Sequence, residues 1–135
     1  MTLVEVVIAL AITGLTVGGI VAGYICCTTA AIKAELVQAA SARAMERIEE
    51  TRSAQWDTSA WPVVDQLVAA NFTNVVVSLD TPGSGSGGTS ATIVTTISRI
   101  SLTPPIRDIR VDCIWQFRGT EWITNTIETI RAPDQ

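Results

Sequence analysis

One carboxylate, Glu5, stands at the head of a run, residues 6–32, that contains no Asp, Glu, Lys or Arg. An ionised carboxylate in apolar surroundings costs several kcal/mol unless a cation meets it. The nearest side-chain cation along the chain is Lys33, about 42 Å away if the run is helical at ~1.5 Å per residue. A counterion must come from elsewhere, and the α-amine of Met1, from this chain or from a neighbouring copy, is the candidate. The alternative is a Glu5 at headgroup level that simply touches water. Three cysteines are present, Cys26, Cys27 and Cys113, and histidine is absent. No C-x-x-C pair occurs, so zinc binding, thioredoxin-like exchange and thiol catalysis each lack their second component. A Cys27–Cys113 bridge is open in an oxidising compartment, but buried free thiols are equally ordinary and are slightly favoured. Trp56, Trp61, Trp115 and Trp122 could stack a ligand; core and rim positions are their commoner use. The hydroxyl-rich stretch 92–101 has no histidine or lysine partner and reads as strand or surface rather than nucleophile. Asp80 beside a Gly/Ser-rich stretch falls far short of the about six to eight oxygens that calcium takes. No metal, no cofactor and no enzymatic activity are expected.

Composition points the same way. Of 135 residues, 47% are hydrophobic and 16% charged, against roughly 25% charged in an average soluble domain. The bias is local: all nine Lys and Arg, and every acid except Glu5, lie at or beyond residue 33. The length allows one modest domain plus one long extra element, which excludes a multidomain enzyme. A net charge of -4 without a Lys/Arg cluster argues against a nucleic-acid partner. The N-terminus lacks the basic region of a cleavable secretory signal, and residues 23–25 before Cys26 lack a lipoprotein pattern, so the apolar run is expected to belong to the mature protein.

These residues need positioning elements. As a helix, residues 6–32 span roughly 40 Å, enough to cross the ~30 Å hydrocarbon layer of a bilayer. Gly14, Gly18, Gly19 and Gly23 give small-xxx-small spacings that permit close approach of helices, or are merely permissive membrane-helix glycines. From residue 28 to 53 alanine and alternating charges favour a continuing helix. Val37, Ala40, Ala44 and Ile48 share one face, with Glu35, Glu46, Glu49 and Glu50 largely opposite. Arg43–Glu46, Arg47–Glu50 and Glu49–Arg52 are i,i+3 pairs, read as a solvated face or subunit contacts. A break follows at 57–62, where Thr58 or Ser59 can cap and Pro62 fits the first turn of a short helix over 62–70. Strands are predicted at 74–79, 91–102, 106–117 and 121–131, with Ile109, Val111, Cys113, Trp115 and Phe117 on one buried face. Four such strands form an antiparallel sheet that can cover the apolar stripe of the long helix, an α+β head.

Met1-Thr2-Leu3-Val4-Glu5 followed by Val6-Val7-Ile8-Ala9-Leu10-Ala11-Ile12 resembles the mature N-terminus of a type IV pilin-like protein, closely over about the first 25 residues. The helix end from Ala44 to Ser53, with Trp56-Asp57, more weakly resembles minor-pilin and pseudopilin members. The resemblance implies that a prepilin peptidase removed a leader ending in glycine, that Met1 carries an N-methylated amine, and that Glu5 neutralises the Met1 amine of an adjacent subunit. In many related filaments part of the apolar helix is extended, often near a proline about where Ala22 stands. The glycines could substitute for that proline, so local melting between Gly14 and Gly23 is expected. Related chains often close a C-terminal loop with a disulfide, which the single Cys113 of that half cannot do internally.

Together these readings divide the chain into a membrane or filament-core segment (1–27), an amphipathic second half of the helix (28–54) and an α+β head (55–135). The expected fold is a type IV pilin-like long N-terminal helix, its hydrophobic half projecting, packed on a four-stranded antiparallel sheet. The expected function is a structural subunit of a pilus-like extracellular filament. It would partner with itself, with the inner membrane before assembly, and with the prepilin peptidase and assembly machinery. The alternatives are a minor pilin or type II secretion pseudopilin that primes or caps a short periplasmic fibre, and a membrane-anchored ligand-binding domain.

Overall fold

The computed structural model describes residues 2–80 and 88–134. A single helix, α1 (Leu3–Ser53), runs through two compact units, residues 1–35 and 36–135. The first unit is that helix alone. Its side chains are exposed almost throughout, with Leu3 at 81%, and it is long and apolar enough to cross a membrane. Three of its threonines turn back on the helix: Thr13 Oγ1 donates to the Ala9 carbonyl at 2.7 Å, Thr16 to Thr13 at 2.8 Å and Thr28 to Tyr24 at 3.0 Å. The melting expected between Gly14 and Gly23 is not there, because α1 is continuous across all four glycines. Within a single chain no other group takes up the freed backbone N–H and C=O, so the intrahelical bonds persist despite about 1 kcal/mol of lost propensity per glycine.

In the second unit, α1 contributes a stripe of Leu36, Ala40, Ala44, Arg47, Ile48 and Thr51 to the core. Ala40, Ala44 and Ile48 lie where the periodicity puts them; Val37 is at the margin and Leu36 takes the buried place. The stripe packs on a four-stranded antiparallel sheet of order β3-β4-β5-β6, formed by β3 (Val75–Ser78), β4 (Ser90–Leu102), β5 (Pro105–Phe117) and β6 (Glu121–Arg131). This is the expected α+β arrangement, and each strand falls within a residue or so of its predicted span. Ile109, Val111, Cys113, Trp115 and Phe117 alternate inward along β5 and are all buried, together with Ala91 and Ile93 of β4. The β5–β6 turn is tight: Arg118 and Gly119 both have positive φ, 49° and 70°, and the Thr120 N–H donates to the Phe117 carbonyl at 3.1 Å.

The segment between helix and sheet departs from expectation. Residues 62–70 are not a helix. Instead β1 (Trp56–Asp57) pairs antiparallel with β2 (Val64–Asp65), and a single 3-10 turn follows at Ala69–Asn71. Ser59 does not cap; it is itself captured, donating from both N–H and hydroxyl to Asp57 Oδ1 at 2.8 and 2.7 Å. Arg107 completes the override by binding the Asp65 carboxylate and the Leu67 carbonyl, which holds this stretch extended while Leu67 is fully buried. Tertiary contacts of this kind outweigh the few tenths of a kcal/mol per residue that helix propensity offers. The Gly/Ser-rich connection considered for calcium falls mainly in residues 81–87, outside the described residues.

Candidate assembly site

The first turn of α1 carries the residue that the sequence singles out. A helix start leaves four backbone N–H groups without intrahelical partners and concentrates partial positive charge there. Glu5 answers one of them: its Oε2 accepts from the Thr2 N–H at 2.7 Å, a side chain reaching back over three residues. That bond fixes the carboxylate at the mouth of the helix. An ionised carboxylate has about four acceptor positions, so one held amide leaves capacity for a cation. Met1, the expected source of the amine and the expected site of N-methylation, lies outside the described residues.

Beyond Glu5 the helix offers only packing surface. At Gly14, Gly18, Gly19 and Gly23 an added Cβ would meet nothing within 4 Å, so the chain itself does not require these glycines to be small. Any requirement comes from what packs against them. Cys26 and Cys27 are exposed free thiols on the same helix. Cys113 is a free thiol too, wholly buried on β5, where desolvation pushes its pKa up and keeps it protonated and inert.

The tryptophans separate into two kinds. Trp56 and Trp115 are core residues, whereas Trp61 and Trp122 are 95% and 69% exposed. Trp115 Nε1 donates to Asn125 Oδ1 at 3.1 Å, and Asn125 in turn donates to Ser41 Oγ at 3.1 Å, which makes a polar link from sheet to helix. The cleft next to Trp56 and Arg107 holds about 160 Å³, less than the roughly 300 Å³ at which small-molecule sites begin.

Three arginines do work that sequence spacing does not disclose. Arg47, read from spacing as half of a surface ion pair, is only 8% exposed. It keeps the bond to Glu50 at 2.5 Å, but it also donates to Thr95 Oγ1 at 3.1 Å and to the Thr73 carbonyl at 2.7 Å, and lies 5.3 Å from the Phe72 ring centroid. Arg107 stacks 4.4 Å above Trp56 and grips both oxygens of Asp65, which holds that carboxyl below its ordinary pKa. Arg131 donates to the Thr51 carbonyl in the last turn of α1 at 2.6 Å and pairs with Asp134, whose Oδ2 accepts from the Trp56 N–H at 2.8 Å. Apart from the i,i+3 partners Glu50 and Asp134, these contacts reach tens of residues along the chain, so no local motif could have announced them. The other pairs, Arg43–Glu46 and Arg52–Glu49, are exposed as expected.

Comparisons with protein-family models, with curated proteins and with solved structures find no match for this chain.

Proposed function

We propose that this chain is a structural subunit that polymerises through its N-terminal helix into a type IV pilus-like extracellular filament, after residence in a membrane. The observation that carries the reading is the first unit: an exposed apolar helix whose first turn holds one fixed carboxylate and whose Thr13, Thr16 and Thr28 bond back to their own helix. Lipid covers such a helix adequately, and so does a bundle of sister helices, because neither leaves a backbone polar group unpaired. Moving from one to the other changes little except the environment of Glu5. An unmatched buried charge is expensive, so the carboxylate sets the axial register at which a neighbour's Met1 amine meets it. Packing supplies cohesion and charge supplies position. The α+β head would form the outer surface.

Supporting this over a membrane-anchored ligand-binding domain is the use to which the head puts its aromatic and cationic side chains. Trp56, Trp115, Arg47 and Arg107 are consumed in internal packing and hydrogen bonding. The weaker likeness to minor pilins rests on residues 44–57, where Arg47 and Asp57 have structural duties within the head. The decisive experiment compares wild type with Glu5→Ala and Glu5→Gln by electron microscopy of sheared surface material. Both variants should insert in the membrane and fold their heads, yet yield at least tenfold fewer filaments. Normal filament yield from Glu5→Ala would overturn the mechanism.

A further inference from the structure

The sheet has an open edge that is self-complementary. β6 is an edge strand of 11 residues, paired with β5 without interruption from Arg107↔Arg131 to Phe117↔Glu121. Among the described residues no backbone group bonds to its outer side. Proteins usually blunt such edges with Lys, Pro, a bulge or a very short strand. Residues 121–131 contain neither Lys nor Pro, and the register of β6 has no shift, unlike that between β4 and β5. The core beneath it is also unsealed: Ile123 and Ile127 point inward yet stay partly exposed, whereas their β5 neighbours Trp115 and Val111 are fully buried.

We infer that β6 pairs antiparallel with β6 of a second copy of this chain, about a dyad centred on Thr126. This register overlaps the whole strand, end to end. It sets Trp122 opposite Ile130 twice, the two large apolar side chains that β6 exposes on its outer face, at 69% and 68%. Thr124 then faces Glu128, a residue already near Arg110 at 3.8 Å, and Thr126 faces itself. At the ends Glu121 meets Arg131, so opposite rather than like charges are juxtaposed. Shifting the dyad by one residue sets Trp122 against Glu128, or Ile123 against Arg131, and shortens the ladder.

The interface is isologous and therefore closed: it makes pairs, not fibres. A dyad normal to the sheet also reverses the helix segment packed upon it. The contact is thus not one between neighbours of a single polar fibre, and it does not depend on the filament reading.

The test uses the full chain in detergent, with Cys26→Ser and Cys27→Ser as background and copper phenanthroline as oxidant. Cross-strand Cα separations of about 4.5–5.5 Å suit a disulfide. Thr126→Cys should link to itself at high yield. Thr124→Cys and Glu128→Cys should each fail alone and link when the two are mixed. Trp122→Thr should raise the dimer dissociation constant about fivefold in sedimentation equilibrium, through loss of two cross-strand pairs. Linking of Thr124→Cys to itself as efficient as that of Thr126→Cys, or no linking in the mixture, overturns the register. A chain that stays monomeric at all concentrations overturns the pairing itself. Loss of filaments in Glu5→Ala with β6 linking intact would separate this contact from the assembly mechanism.

Discussion

At the scale of single residues the head depends on a few charged side chains. Arg107 is the most heavily used, bonded to Asp65 and the Leu67 carbonyl and stacked on Trp56. Arg107→Ala leaves Asp65 without its counterion and should lower head stability by about 2–3 kcal/mol, read from urea midpoints. Arg107→Lys should recover only part of this, because an ammonium cannot make the two-pronged contact. Three carboxyls are held below their ordinary value of 3.8: Asp65 chiefly by Arg107, Asp57 by the Ser59 hydroxyl and amide, and Asp134 by the Trp56 amide and Arg131. A depressed folded-state pKa contributes stability that is complete above the unfolded value and is lost as pH falls through the folded one. The melting temperature should therefore stay level from pH 7 to about 4.5 and decline below about 4, less steeply in Asp65→Asn. A fall already under way at pH 6 would contradict this assignment. Glu5 stands out in the sequence by its isolation, and the structure adds its bond to the Thr2 amide; the duties of Arg47, Arg107 and Arg131 inside the head were not legible, because a guanidinium's distant partners leave no trace in local spacing.

Among the elements, the strands were the most legible. Strict alternation along β5 identifies a half-buried strand whatever surrounds it, and the turn residues between β5 and β6 mark its end. That turn carries strain that can be tested. Arg118 occupies a left-handed conformation that suits asparagine better, so Arg118→Asn should stabilise the head by about 0.5–1 kcal/mol. Gly119→Val, which forces a β-branched residue to positive φ, should destabilise it by about 1–2 kcal/mol. Thermal unfolding of the two variants in opposite directions is the check. The stretch after α1 was misread because Ser59 and Pro62 are locally good helix-starting residues, while the groups that decide its course, Asp57 and Arg107, act through contacts that propensity does not include. The helix itself was legible in length and, through Ala40, Ala44 and Ile48, in the face it turns to the sheet; only the margin differs, where Leu36 is buried and Val37 half-buried.

For the whole molecule, the division of charge along the chain already separates two kinds of material, and the compact units at residues 1–35 and 36–135 reproduce it. What composition could not reveal is which large apolar side chains outside the first unit remain uncovered; among the described residues Trp61, Leu102, Val76, Trp122 and Ile130 are the most exposed. The exposed helix dominates solubility. Full-length protein should require detergent to remain dispersed, and Val17→Asp, in the middle of the apolar run, should reduce membrane insertion by about 2.5–3.5 kcal/mol on an insertion scale, with Val7→Asp near the helix start costing less. Fractionation of membranes and soluble extract would measure it. The hydroxyls of Thr13, Thr16 and Thr28 have a final implication. Because each is already quenched on its own helix, none of the three prefers hydrocarbon or protein as its surroundings. What decides between the two surroundings is then left to Glu5 and to how closely a neighbour's shape fits the helix.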